Sequence, residues 1–240
     1  MGRSFFIWKN KDCRAMGCYL ATSPAIIRPE ERVKHIEIPG RPGDLTMLEG
    51  EDIFNSYIQT VSLIARGSIR IREIYDWLRG SGYVTFGPEP DRKQMARIIG
   101  AITLQKHSHN LDWWEGEVQF YCQPFKEALT SKTDTITSSG STVYNAGDVV
   151  ERPKIKMTAS ATTASIVINS NNSNTLLATN LTSSHVYEID TETMEMIDLM
   201  GYTLVTSKTV GNFPVFATGT NTITGSGWSK LEITRRERFL

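Results

Sequence analysis

One stretch of the 240 residues carries an apolar stripe at helical spacing, and everything else must fold without helices of any length. In residues 68–80, Ile71, Ile74, Tyr75 and Leu78 recur at i, i+3, i+4 and i+7, while Arg72, Glu73, Asp76 and Arg79 fall mainly elsewhere. Ser68 stands where an amino-terminal cap belongs, and Gly80 lies just past the last turn. The pattern predicts a helix over about 68–79 lying on a sheet, with Trp77 at the edge of its packed face.

Around that helix the chain reads as short strands. Residues 33–38 alternate apolar and polar with period two, as a half-buried strand does. Pro39-Gly40-Arg41-Pro42-Gly43-Asp44 then forces a loop, because proline fixes φ and glycine allows it to turn positive. Further β-prone runs cover 53–64, 83–86, 97–105 and 117–122. Beyond residue 130, apolar or alternating segments at 154–157, 165–168, 185–189, 194–199 and 230–233 are separated by Asn, Gly, Ser and Thr. The Asn-rich run 169–174 reads as a turn. Short strands at roughly 8–12-residue spacing with no helical stripe point to an antiparallel sandwich.

Composition divides the chain at the same place. Ser plus Thr make up 13 of residues 1–130 but 33 of residues 131–240, and 33 of the 52 charged residues lie in the first part. The change falls at 130–136, either a polar linker or an edge strand entering a second domain. The expected domains are 1–132 and 133–240. Twenty-six basic and 26 acidic residues give no net charge, which argues against a dedicated nucleic-acid binder. No apolar run reaches the roughly 20 residues of a membrane span or the 7–15 of a secretory leader. Cys13, Cys18 and Cys122 are odd in number and fit neither a zinc ribbon nor a redox pair, so they read as reduced thiols in a protein made in a cytoplasm.

Reactive constellations are scarce. His107-Ser108-His109, followed by Asp112, Glu115 and Glu117, offers metal-ligating types but reads as a solvated loop. Asp190, Glu192 and Glu195 read as the wet face of a sheet. Gly225-Ser226-Gly227-Trp228 has neither the lysine nor the helix a phosphate loop needs, and reads as a turn. Arg235-Arg236-Glu237-Arg238 reads as a solvated strand edge. No cofactor, metal or catalytic residue is expected, which leaves interaction or assembly as the default class and the chain as no enzyme.

The order of segments resembles the distal tail protein (Dit) family of long-tailed phages over almost the whole chain. The resemblance rests on Ile36-Glu37-Ile38-Pro39-Gly40-Arg41-Pro42-Gly43, on Asp76-Trp77-Leu78-Arg79-Gly80-Ser81-Gly82 before Tyr83-Val84-Thr85-Phe86, and on Val118 to Lys126 with its Gln123-Pro124-Phe125. In the second part it rests on Tyr144-Asn145-Ala146-Gly147-Asp148, Arg152-Pro153-Lys154-Ile155, Ile189-Asp190-Thr191-Glu192-Thr193, Gly211-Asn212-Phe213-Pro214 and Gly219-Thr220-Asn221-Thr222-Ile223. One stretch departs from the family pattern: Val149-Val150-Glu151 stands where a smaller, more polar lead into Pro153 is expected.

The resemblance implies a mainly β protein, with an N-terminal β-barrel-like domain carrying one packed α-helix and a C-terminal galectin-like antiparallel β-sandwich. It implies a hexameric ring at the virion's tail tip, joining the tail tube protein to the tail-associated hub protein, with a channel that passes the tape measure protein and the genome without holding DNA. On this reading Pro39, Gly40, Arg41, Gly43, Asp44 and Trp77 are candidate oligomer-interface or structural residues, and the loop near 39–44 and the sheet containing Phe5–Trp8 lie at or near subunit contacts. The rival reading is a carbohydrate-binding module for a host wall polymer, with Trp228 as its candidate stacking platform.

Overall fold

Strands dominate the backbone, as the scarcity of helical patterning requires, and the protein is mainly β with a single α-helix among the described residues. The computed structural model describes residues 4–48, 50, 52–66, 71–107, 112–170 and 174–240. The predicted cap at Ser68, the loop positions Ser108 and His109, and 171–173 of the Asn-rich turn lie outside the described residues. The chain divides into two compact units, residues 1–129 with Leu240, and 130–239.

The first unit contains β1 (Phe6–Trp8), β2 (Lys11–Asp12), β3 (Cys18–Leu20), β4 (Val33–Glu37), β5 (Asp44–Leu48), β6 (Tyr57–Arg66), α1 (Ile71–Trp77), β7 (Ser81–Phe86), β8 (Arg92–Lys106) and β9 (Trp113–Ala128). Its main sheet is antiparallel, in the order β2-β1-β7-β8-β9-β6-β3, and curls into a half-barrel. Period-two alternation sets the inner face: Val61, Leu63 and Ala65 on β6 and Val118, Phe120 and Cys122 on β9 are buried, whereas Glu115, Glu117, Gln119 and Tyr121 stay exposed. The β8–β9 register shifts between Ile99 and Thr103, where Gly100 takes φ +72° and lets the strand bulge. The helix seals this face with Ile74 and Leu78, both essentially inaccessible. Its carboxyl end comes at Trp77, two residues before the expected one, where Gly80 turns left-handed and returns the chain to the sheet.

The second unit contains β10 (Lys132–Ile136), β11 (Ser141–Asn145), β12 (Lys154–Ala159), β13 (Ala164–Ile168), β14 (Thr175–Ala178), β15 (Val186–Asp190), β16 (Glu195–Asp198), β17 (Thr203–Leu204), β18 (Thr209–Gly211), β19 (Gly219–Ser226) and β20 (Trp228–Arg235). They form two antiparallel sheets, β10-β20-β12-β15-β16-β17 and β11-β19-β13-β14-β18. Ile155, Met157, Tyr187, Ile189, Leu231 and Ile233 of the first sheet share one core with Val143, Ile166, Ile168, Leu176 and Ile223 of the second. The outer face of the six-stranded sheet is a charge ladder, with Lys154–Asp190 at 2.7 Å and Lys156–Glu188 at 3.8 Å. The five-stranded sheet turns outward Thr142, Tyr144, Thr220, Thr222, Thr224, Ser165 and Val167, an uncharged face.

Candidate functional site

The loop 39–44 is the tip of a two-stranded hairpin, β4–β5, separate from the main sheet. Gly40 and Gly43 take φ +81° and +79°, and Arg41 N–H donates to Ile38 O at 3.1 Å, closing the turn. Pro39, Gly40, Arg41, Gly43 and Asp44 are all exposed at this tip. The half-buried strand expected at 33–38 is instead mostly exposed: only Val33 and Ile36 are partly covered in β4, and all of β5 faces solvent. The reason is topological, since a lone two-stranded ribbon has no sheet beneath it.

The register pairs Ile36 with Leu45 and Lys34 with Met47 on one face, and Val33 with Leu48 on the other. Leu45, Met47 and Leu48 are 43 %, 48 % and 59 % exposed, and Ile38 and Ile53 also reach solvent. At the tip Glu37 lies directly opposite Asp44, a like-charge pair that weakens the ribbon. A two-stranded hairpin is marginal on its own in water, and this one exposes its apolar pairs. The sequence reading placed the tip but missed β5, although Leu45-Thr46-Met47 carries the period-two signal.

Trp77 belongs to the core edge. Its ring stacks on Phe6 at 5.5 Å with a 6° interplanar angle. Its indole N–H donates to Trp8 O at 3.1 Å, while the Trp8 indole N–H donates to Trp77 O at 3.0 Å. Phe6 and Trp8 are themselves fully buried and meet Phe120 edge-on, whereas Ile7 between them is partly exposed.

The other sequence candidates scatter. His107 Nδ1 sits 3.4 Å from Glu115 at the rim of an open, polar depression of roughly 480 Å³, lined also by Ser62, Ile64, Gln105 and Glu117. No group of three His, Cys, Asp or Glu among the described residues is arranged to hold a metal ion. The three cysteines are buried and unpaired, and burial pushes the Cys18 and Cys122 thiols up to about 12. Asp190 pairs with Lys154 and accepts the N–H groups of Glu192 and Thr193, a turn-closing role.

Trp228 does not form a stacking platform. It is 8 % exposed, belongs to the sandwich core, and donates its indole N–H to Ser165 O at 3.0 Å, so a sugar ring has no access to its faces. The most exposed aromatics of this unit are Tyr202, at 88 %, and Tyr144, at 61 %. The terminal basic run is not a solvated edge either, because Arg235 and Glu237 turn inward and are 6 % and 5 % exposed.

Fold and site together describe a mainly β, two-unit chain whose distinctive feature is an uncovered apolar hairpin rather than a reactive cluster. No family model and no curated protein matches the sequence. Among solved structures, the chain is similar to the SPP1 Dit (gp 19.1) protein, described as a paradigm of the hub adsorption apparatus in phages that infect Gram-positive bacteria. The TM-score is 0.74 at 18% identity, over 98% of this chain and 99% of that one. It is also similar to a chain of the phage p2 baseplate in its activated conformation with Sr, with a TM-score of 0.46 at 9% identity, over 99% and 98% of the two chains. The likeness to SPP1 Dit establishes a shared fold from end to end, the distal tail protein fold that the segment order implies.

Proposed function

We propose that this chain is a structural component of a phage tail tip, acting as a distal tail protein. The observation that carries the reading is the shared fold with SPP1 Dit across 98% of the chain, with neither unit left over. On this reading the first unit forms a hexameric ring between the tail tube protein and the tail-associated hub protein. The central opening passes the tape measure protein and then the genome, and the second unit is a galectin-like module. A chain with no net charge suits a channel that must not retain DNA, because phosphate affinity climbs with each Lys or Arg contact.

The β4–β5 hairpin is the contact this reading assigns to the ring. A ring uses a heterologous interface, in which one patch meets a different patch on the next copy. A projecting ribbon with Leu45, Met47 and Leu48 uncovered supplies one such patch, while Arg41 and Asp44 set register through charge. Mass measurement of the full chain, alone and mixed with its tail tube protein, tests the assignment. A hexameric annulus by electron microscopy is the expected outcome. A chain that stays monomeric with the tube protein present and is missing from purified tails would defeat it.

A further inference from the structure

The end of β20 carries a cluster of charges, of which Arg235, Glu237 and Glu151 are buried. Alternation persists past Arg235, so Arg235 and Glu237 point inward while Arg236 and Arg238 turn the other way. Arg235 Nε donates to Asp134 Oδ2 at 2.7 Å and its Nη1 to Glu237 Oε1 at 3.3 Å. Lys132 Nζ donates to the same Glu237 oxygen at 2.8 Å. Arg238 Nη2 reaches both oxygens of Glu192 at 2.8 Å. These contacts pair Lys132, Arg235 and Arg238 with Asp134, Glu237 and Glu192.

Glu151 is the buried carboxylate that none of these hydrogen bonds reaches. It is 2 % exposed, and the nearest cationic nitrogen, Arg235 Nη1, is 3.9 Å away. The backbone N–H of Arg236 lowers its pKa slightly, while neither carboxylate oxygen has a hydrogen-bond partner of ordinary geometry among the described residues. Its backbone is held in place, its own N–H and C=O both bonded to Phe216 at 2.9 Å. The same corner is closed by Asp148 N–H on Arg238 O at 2.9 Å, with Gly147 packed so tightly that a Cβ there would stand 2.5 Å from that oxygen. An ionised carboxylate held in such a place, without a donor, is strongly disfavoured.

We propose that Glu151 is a proton-operated latch: uncharged, it lets residues 235–238 stay seated on the 145–151 loop and on β10, and charged, it works that segment loose. The groups facing it are Arg235, the Arg236 N–H, Glu237 and Arg238 from the end of β20, with Lys132 and Asp134 of β10 and Glu192 of the β15–β16 turn behind them. Burial is the largest influence and pushes Glu151 up to about 7, with Arg235 opposing and Glu237 adding to the rise. Opening the segment returns the carboxyl to its ordinary value of 4.5. The closed form therefore binds the proton more tightly, and closure is strengthened below pH 4.5 and lost as pH climbs to about 7. Within that window the opening equilibrium changes by up to about tenfold per pH unit.

Amide hydrogen exchange of the full-length chain, corrected for base catalysis and followed at residues 232–238 between pH 5 and 8, tests the latch in wild type and Glu151→Gln. The wild-type opening constant is expected to rise about tenfold per unit to near pH 7 and then level off, while Glu151→Gln stays low and flat. Parallel slopes in the two chains would overturn the proposal. Should Glu151→Gln not fold, a carboxyl-carbon NMR titration of the wild type decides: a Glu151 midpoint near 7 supports the latch, and one in the ordinary carboxylate range removes it.

Discussion

Asn221 has no solvent exposure in the second unit, and four hydrogen bonds account for a polar side chain in that place. Its Oδ1 accepts from Ala217 N–H at 3.0 Å and Asn169 Nδ2 at 2.9 Å, and its Nδ2 donates to Ala217 O at 2.7 Å and Gly219 O at 3.1 Å. Asn145 does the same for the 145–149 loop, donating to Val149 O and accepting from Gly147 N–H. Asn221→Ala strands two donors and two acceptors, and is expected to destabilise the chain by about 2–4 kcal/mol in denaturant unfolding. Asn221→Asp keeps the acceptors, loses both donors and buries a charge, so it should unfold at least as easily. A midpoint unchanged by either substitution would show that water replaces the amide. In the first unit, Trp77→Phe keeps an aromatic ring for Phe6 but strips the donor from Trp8 O, and about 1–3 kcal/mol of stability should go with it. Such roles were hard to read from sequence because residue type does not say where a polar atom finds its partner. Trp77 was placed near the packed edge by helical spacing, whereas Trp228, in a polar neighbourhood, gave no sign that Ser165 would take its N–H.

At the scale of elements, strands were legible where one face is buried and the other wet. β12, β13, β15 and β20 alternate cleanly and lie close to where the pattern predicts. β19 was not legible, because its buried positions include Asn221 between threonines. β10 remained ambiguous between linker and edge strand until its pairing with β20 was seen. β8 and β9 run to 15 and 16 residues, well beyond their apolar centres, since each continues as a polar strand paired to its neighbour. The hairpin is the converse: β5 alternates but buries nothing within the chain, and on the proposed function its apolar face meets a neighbouring copy. That yields a prediction at its own scale. Leu45→Ser with Met47→Ser should change the unfolding free energy of the isolated chain by no more than the small range typical of surface changes, about 0.5 kcal/mol, while lowering the mass of the assembled particle. Equal loss of stability in the unassembled chain would mean the hairpin serves its own fold instead. The Arg41→Ala, Asp44→Ala pair, which leaves the apolar shaft intact, should slow assembly and make it less salt-sensitive without abolishing it.

For the whole molecule, the two units carry different titrating groups, and their stabilities should separate with pH. In the second unit, burial raises Asp190, Asp198 and Glu237, but hydrogen bonds outweigh it: Lys154 and two backbone N–H groups on Asp190, His185 and two backbone N–H groups on Asp198, and Lys132 on Glu237 hold all three below ordinary carboxylate values. A lowered carboxyl contributes stability that is present above its unfolded value and is lost as pH falls through the folded one, so these groups shape only the strongly acid limb. Glu151 runs the other way, and its contribution fades between 4.5 and about 7. In the first unit, the resolved shifts lie outside that interval: Asp12 is held down chiefly by Arg14, and Cys13, Cys18 and Cys122 are raised by burial from 9.0, which matters only in alkaline solution. Calorimetry of the full chain from pH 5 to 7 should therefore show the transition of residues 130–239 moving to lower temperature while that of residues 1–129 holds still. Assigning each transition by hydrogen exchange settles which unit moved. Two transitions shifting in step, or the first unit moving alone, would contradict the role given to the buried Glu151 carboxyl, whereas Glu151→Gln should bring both units to the same pH-insensitive behaviour across this interval.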